Sequence, residues 1–139
     1  MVARFEREFA AFQQCRFGLS AMNGTVTLEM ALEALGIGEG DEVIVPAISF
    51  ISTATAVSRV RATPVFVDIE TDTFNIDPRR AREAIGPKTR AIMPVHFGGP
   101  MADMDSLLQI AREHGLPLIE DAAHAHGSEW NGQIGRAHV

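Results

Sequence analysis

The sequence predicts an α/β domain built on a mainly parallel sheet with helices on both faces. Three observations carry that expectation. Short β-branched or apolar runs alternate with longer helical patterns along the 139 residues. The runs Val43-Ile44-Val45 and Val65-Phe66-Val67 are apolar without alternation, as strands covered on both faces are. No Pro/Ser-rich linker, repeat or low-complexity tract divides the chain, so the elements form one domain.

The elements follow in order. Val2, Phe5, Phe9 and Phe12 recur at three- and four-residue steps, the stripe of an amphipathic opening helix that docks on a neighbour. A weak strand pattern covers Phe17 to Ala21, followed by a helical pattern from Thr25 to Leu35 that stops near Gly36. Strands are predicted at Glu42 to Pro46, Thr63 to Asp68, Ala91 to His96 and Leu116 to Glu120. Helices between them cover Ser52 to Val60, Asp77 to Ile85 and Asp103 to His114. Asp77 followed by Pro78 offers a cap with proline in the first turn, and Gly86 and Gly115 stand where helices end.

Composition narrows the function classes. Eighteen acidic residues against twelve basic ones are scattered without a Lys/Arg face, so nucleic acid is not an expected partner. No apolar stretch approaches the roughly 20 residues that span a bilayer, and the N-terminus lacks the apolar core of a signal peptide, so no membrane partner is expected. The single cysteine, Cys15, cannot form an internal disulfide and reads as a small packed residue, which fits a cytoplasmic location.

In an open parallel sheet, ligands collect at the carboxyl ends of the strands. Asn23-Gly24-Thr25 leads into a helix, where free N–H groups can hold a phosphate; an ordinary turn and cap is the competing reading. Phe50, just after the second strand, could stack on a flat ligand or pack in the core, and Ser52 and Thr53 can open the next helix. Asp68 falls in an acidic, solvated turn. His96 could contact a ligand or be a hydrogen-bonded structural residue. Glu120-Asp121-Ala122-Ala123-His124 places a carboxylate at a strand end among small residues that leave a ligand room. Asp121 with His124 and His126 lacks a further ligand cluster, so no metal is expected. Gly-x-Ser-x-Gly and Gly-x-Gly-x-x-Gly are both absent, which argues against a serine hydrolase and a nicotinamide-binding fold.

Nearly the whole chain resembles the DegT/DnrJ/EryC1/StrS family of pyridoxal-phosphate (PLP) sugar aminotransferases. The resemblance rests on Phe5-Glu6-Arg7-Glu8-Phe9, Asn23-Gly24-Thr25, Gly38 through Pro46, Ala62 through Asp68, Pro94-Val95-His96, Ala102 through Asp105 and Ile119 through His124. It implies the large domain of the aspartate-aminotransferase fold (fold type I), with residues 1–139 as its N-terminal part. By the same resemblance Gly24 and Thr25 help hold the PLP phosphate and Phe50 stacks on the ring. Asp121 then pairs with the pyridine nitrogen, and His124 approaches the ring hydroxyl.

The family's Schiff-base lysine stands in a later segment resembling Ser-Phe-x-x-x-Lys, which this sequence does not contain; Lys88, its single lysine, falls in a turn at the opposite end of the sheet. The expectation is therefore a fragment without that segment and without the C-terminal domain, and with no catalytic residue of its own. Its longer parent, an expected homodimer, would move an amino group from an amino acid to a nucleotide-linked keto-sugar. Two rivals stand beside it: a PLP-dependent sugar dehydratase of the same family, and a non-catalytic truncated product.

Overall fold

The computed structural model describes residues 1–134. Its centre is a parallel sheet of β1 (Glu42–Pro46), β2 (Thr63–Val67) and β3 (Thr89–Ile92) in the order β2-β1-β3. Residues 116–121 extend it beyond β3 through parallel bridges from Leu118 to Ile92 and from Asp121 to Val95. Around it lie α1 (Val2–Phe12), α2 (Gly24–Ala34), α3 (Ser52–Arg59), α4 (Pro78–Glu83) and α5 (Met104–His114).

Strand β1 explains why its apolar run is unbroken. Val43 and Val45 pack on one face with Leu28 and Leu32 of α2 and Ala56 and Val57 of α3. Ile44 points the other way, into a second core with Ala81 of α4 and Leu107 and Ile110 of α5. Val43, Ile44 and Val45 are all fully buried. The expectation fails for β2, where Phe66 is 58% exposed. That strand is the sheet edge, and among the described residues nothing covers the outer face of Phe66.

Two helix starts and the end of α5 follow the sequence signals, whereas α4 stops at Glu83 with Ala84 as its C-cap, short of the predicted Ile85 and of Gly86. Asp77 accepts a hydrogen bond from the Arg79 N–H with Pro78 at the first helical position, and Asp103 accepts one from the Ser106 N–H. Gly115 closes α5 in the left-handed conformation, φ 64°.

Three predicted strands differ from the observed backbone. Phe17 to Ala21 forms no strand: the Ser20 N–H, a group that strand pairing would use, donates together with the Ser20 hydroxyl to Glu6 Oε1, at 2.9 and 2.8 Å. The predicted strand from Ala91 to His96 starts two residues earlier and ends at Ile92. Pro94 has no N–H to donate, and only the Val95–Asp121 bridge follows. Leu116 to Glu120, containing Pro117, makes isolated bridges for the same reason. A hairpin of β4 (Glu129–Trp130) and β5 (Gln133–Ile134) lies outside the predicted elements. Its turn is Asn131-Gly132 with φ of 50° and 78°, the pair of left-handed residues a two-residue hairpin loop needs.

Candidate functional site

A cleft of about 260 Å³ opens at the carboxyl ends of β1, β3 and the 116–121 segment. Gly24, Thr25, Phe50, Asp121 and His124, the five residues singled out by sequence, all line it. They arrive from three places: the start of α2, the loop after β1, and the end of the 116–121 segment. A cavity of about 670 Å³ at the other end of the sheet is lined by turn residues such as Gly86, Pro87 and Gly115 and holds none of the five. Lys88 sits at that end, its carbonyl accepting from the Glu42 N–H where β1 begins.

Asp121 is held in the cleft by both its backbone and its side chain. Its backbone is fixed to the neighbouring segment in both directions, its N–H donating to the Pro94 carbonyl at 2.9 Å and its carbonyl accepting from the His96 N–H at 3.1 Å. Its carboxylate is buried and both oxygens are engaged. Oδ1 accepts from the Ala123 N–H at 3.2 Å and Oδ2 from the Thr53 hydroxyl at 3.2 Å. Each oxygen keeps further lone pairs, so the group can still accept a hydrogen from a ligand.

At the start of α2 the Asn23 side chain accepts from the Val26 N–H at 3.0 Å, and the Asn23 carbonyl accepts from the Thr27 N–H. The N–H groups of Gly24 and Thr25 and the Thr25 hydroxyl have no acceptor or donor among the described residues. They are the orphan groups that every helix start leaves, here facing a cleft. A side chain on Gly24 would meet nothing within 4 Å, so the wall is open at that point.

Phe50 is 68% exposed on the cleft wall, which sets aside the core-packing alternative. His124 is exposed, with Nδ1 accepting from the Gly98 N–H at 3.4 Å and its ring edge-on to Phe97 at 6.1 Å. With Nδ1 an acceptor, the neutral ring carries its hydrogen on Nε2 and offers a donor.

His96, in contrast, is fully buried. Its Nδ1 accepts from the Ala102 N–H at 3.2 Å and its Nε2 meets Glu120 Oε2 at 3.0 Å, so it is a structural residue behind the cleft and not a ligand contact. Asp68 is exposed directly after β2. Among the described residues no group of acidic, His or Cys side chains could hold a metal ion. No helix among them is long and apolar enough to cross a membrane.

Ser49 and Thr53 were missed as site residues. Ser49 lines the cleft and its hydroxyl lies 2.6 Å from that of Thr53, which is 1% exposed and bonded to Asp121. Thr53 does stand in the first turn of α3, which begins at Ser52 as the sequence suggests, and its hydroxyl is engaged by Ser49 and Asp121. The available signal was Ser49 and Thr53 four residues apart, directly after a strand.

Comparison with known proteins returns one family. The model of the DegT/DnrJ/EryC1/StrS aminotransferase family matches residues 1–138. The 3-amino-5-hydroxybenzoate synthase of Amycolatopsis mediterranei is 50% identical over 132 residues, 95% of this chain and 34% of that protein. A crystal structure of 3-amino-5-hydroxybenzoic acid synthase superposes with a TM-score of 0.95, covering 96% of this chain and 35% of that one at 50% identity. GDP-perosamine synthase of Caulobacter vibrioides is 46% identical over 132 residues, 95% of this chain and 36% of that protein. NtdA of Bacillus subtilis, solved with bound cofactor PMP, has a TM-score of 0.88 at 40% identity over 89% of this chain and 28% of that one. This chain thus spans about a third of the length of the curated relatives it matches. The backbone it shares with these structures is part of the fold type I large domain, a parallel sheet flanked by helices.

Proposed function

Because the chain belongs to the DegT/DnrJ/EryC1/StrS aminotransferase family, we propose that it forms the N-terminal, cofactor-holding part of a PLP enzyme. That enzyme moves an amino group from an amino acid onto a ketone carbon of a sugar or cyclitol. A nucleotide-linked keto-sugar is the substrate class we favour, supported by the likeness to GDP-perosamine synthase. A homodimeric assembly and a cytoplasmic location belong to the same proposal.

The observation that carries the reading is the meeting of five residues from separate segments on one cleft. The donor set fits the cofactor. Gly24 and Thr25 offer two free N–H groups and a hydroxyl to a phosphate at a helix start, where the backbone dipoles favour an anion. The exposed Phe50 ring offers a flat apolar face. Asp121 supplies a buried carboxylate already held at both oxygens, and His124 a ring N–H for an oxygen.

When bound, PLP supplies an electron sink that stabilises negative charge on the substrate carbon, and the sink is deepest with the ring nitrogen protonated. This chain's part is binding and tuning. The α2 start fixes the phosphate and so the cofactor's position. Phe50 covers one ring face and keeps water from it. Asp121 holds the proton at the ring nitrogen, and His124 donates to the ring hydroxyl oxygen.

The test has two arms. The chain titrated with PLP should show saturable binding that inorganic phosphate competes away. In the longer enzyme, Asp121→Asn should lower turnover far more than cofactor content, because it removes a charge and leaves the shape. Unchanged turnover with normal PLP content would sink the assignment of Asp121.

A further inference from the structure

The proposed role of Asp121 leaves a question of how a buried anion is held in one orientation. The Ser49 and Thr53 hydroxyls answer it. Thr53 is 1% exposed and its oxygen has two neighbours, Asp121 Oδ2 at 3.2 Å and Ser49 Oγ at 2.6 Å. A hydroxyl has one hydrogen to give, and an ionised carboxylate can only accept. The Thr53 hydrogen therefore goes to Asp121, and the short contact to Ser49 is filled by the Ser49 hydrogen donated into the Thr53 oxygen. The direction of the whole chain follows: Ser49 to Thr53 to Asp121, each link polarising the next. With the Ala123 N–H on Oδ1, the carboxylate is fixed about both of its oxygens.

We propose that Thr53, backed by Ser49, is a positioning residue that orients the Asp121 carboxylate toward the cofactor's ring nitrogen. The proposal rests on the Asp121 reading above. Thr53 touches no ligand itself; it acts by holding Asp121. Replacing its hydroxyl by a methyl group leaves the volume nearly unchanged, frees one carboxylate oxygen and leaves the Ser49 hydroxyl without its acceptor.

A pair of cofactors separates positioning from mere stability. The chain is titrated with PLP and with the analogue carrying carbon in place of the ring nitrogen, and the ratio of the two affinities is the readout. The unsubstituted chain should prefer PLP by about tenfold, the size of one hydrogen bond to a charged group. Thr53→Val should lose most of that preference while binding the analogue as before. Thr53→Ser should restore it, and Ser49→Ala, which removes only the outer donor, should lower it by a smaller factor. A preference unchanged in Thr53→Val, or affinities for both cofactors reduced equally, would overturn the proposal. If Thr53→Val does not fold, an unchanged preference in Ser49→Ala overturns it instead. An unsubstituted chain that binds both cofactors alike removes the pairing of Asp121 with the ring nitrogen, and this inference with it. A preference that survives in Thr53→Val leaves that pairing standing and removes only the role of Thr53.

Discussion

Thr25 is the residue whose environment most directly invites a test. Its hydroxyl and N–H are unbonded among the described residues while its neighbour Asn23 caps the helix, so capping and ligand binding are divided between two side chains. Thr25→Val keeps the shape and removes one donor. If the hydroxyl bonds the phosphate, PLP affinity should fall about tenfold with the helix intact, measured by cofactor titration beside circular dichroism. Asn23→Ala should do the reverse, costing about 1 kcal/mol of stability in denaturant unfolding. Residue by residue, the cleft was legible wherever the signal was local. Asp121 stands at the end of an apolar run before small residues, and Gly24 and Thr25 stand at a helix start. Thr53 was not legible, because its partner is 68 positions away and its chemistry depends on α3 lying beside the 116–121 segment. His96 had two readings from sequence, and only its burial decided between them.

At the scale of elements, α1 is tied to the body by a carboxylate. Glu6 accepts from the Ser20 N–H and hydroxyl, and these bonds, the backbone one first, hold its carboxyl below its ordinary pKa. A lowered folded-state value gives a contribution that is complete above the ordinary carboxyl range and lost as pH falls through the folded value. The Ser20 amide should therefore lose hydrogen-exchange protection in acid, and Glu6→Gln should remove that pH dependence. The loop 96–100 at the cleft mouth has a comparable anchor in Asn75, which is 1% exposed. Its Oδ1 accepts from the Phe97 N–H at 2.9 Å and its Nδ2 donates to the Pro100 carbonyl at 3.2 Å. Asn75→Ala removes both bonds, and because Pro100 is exposed and Phe97 half-buried, water can replace them in part, so the cost should be about 0.5–1.5 kcal/mol each, read from thermal unfolding. Helices with caps and periodic faces were readable because their bonds are local. The Phe17 to Ala21 segment was not, since a strand requires a partner and its Ser20 groups found a helix side chain instead.

For the molecule as a whole, β1 divides two cores, and Ile44 is its fully buried side chain on the α4–α5 side, where Ile92 of β3 is also fully buried. Ile44→Ala should cost about 2–5 kcal/mol, read from the denaturant midpoint, whereas a change at the exposed Phe66 on the same sheet should cost far less. Alternation of strand and helix made the architecture legible, but it assigned Phe66 to a covered strand because order in sequence does not say which strand becomes the edge. The terminal hairpin has a different use. Trp130 donates from its indole nitrogen to Asp105 Oδ1 at 3.2 Å, joining β4 to the first turn of α5. It is the only tryptophan, and the sequence contains no tyrosine. The intrinsic fluorescence of the protein therefore comes from one place. Its emission follows a single joint, between the hairpin and α5, and a red shift on Asp105→Ala would show the indole moving into water while the sheet beneath stays optically silent.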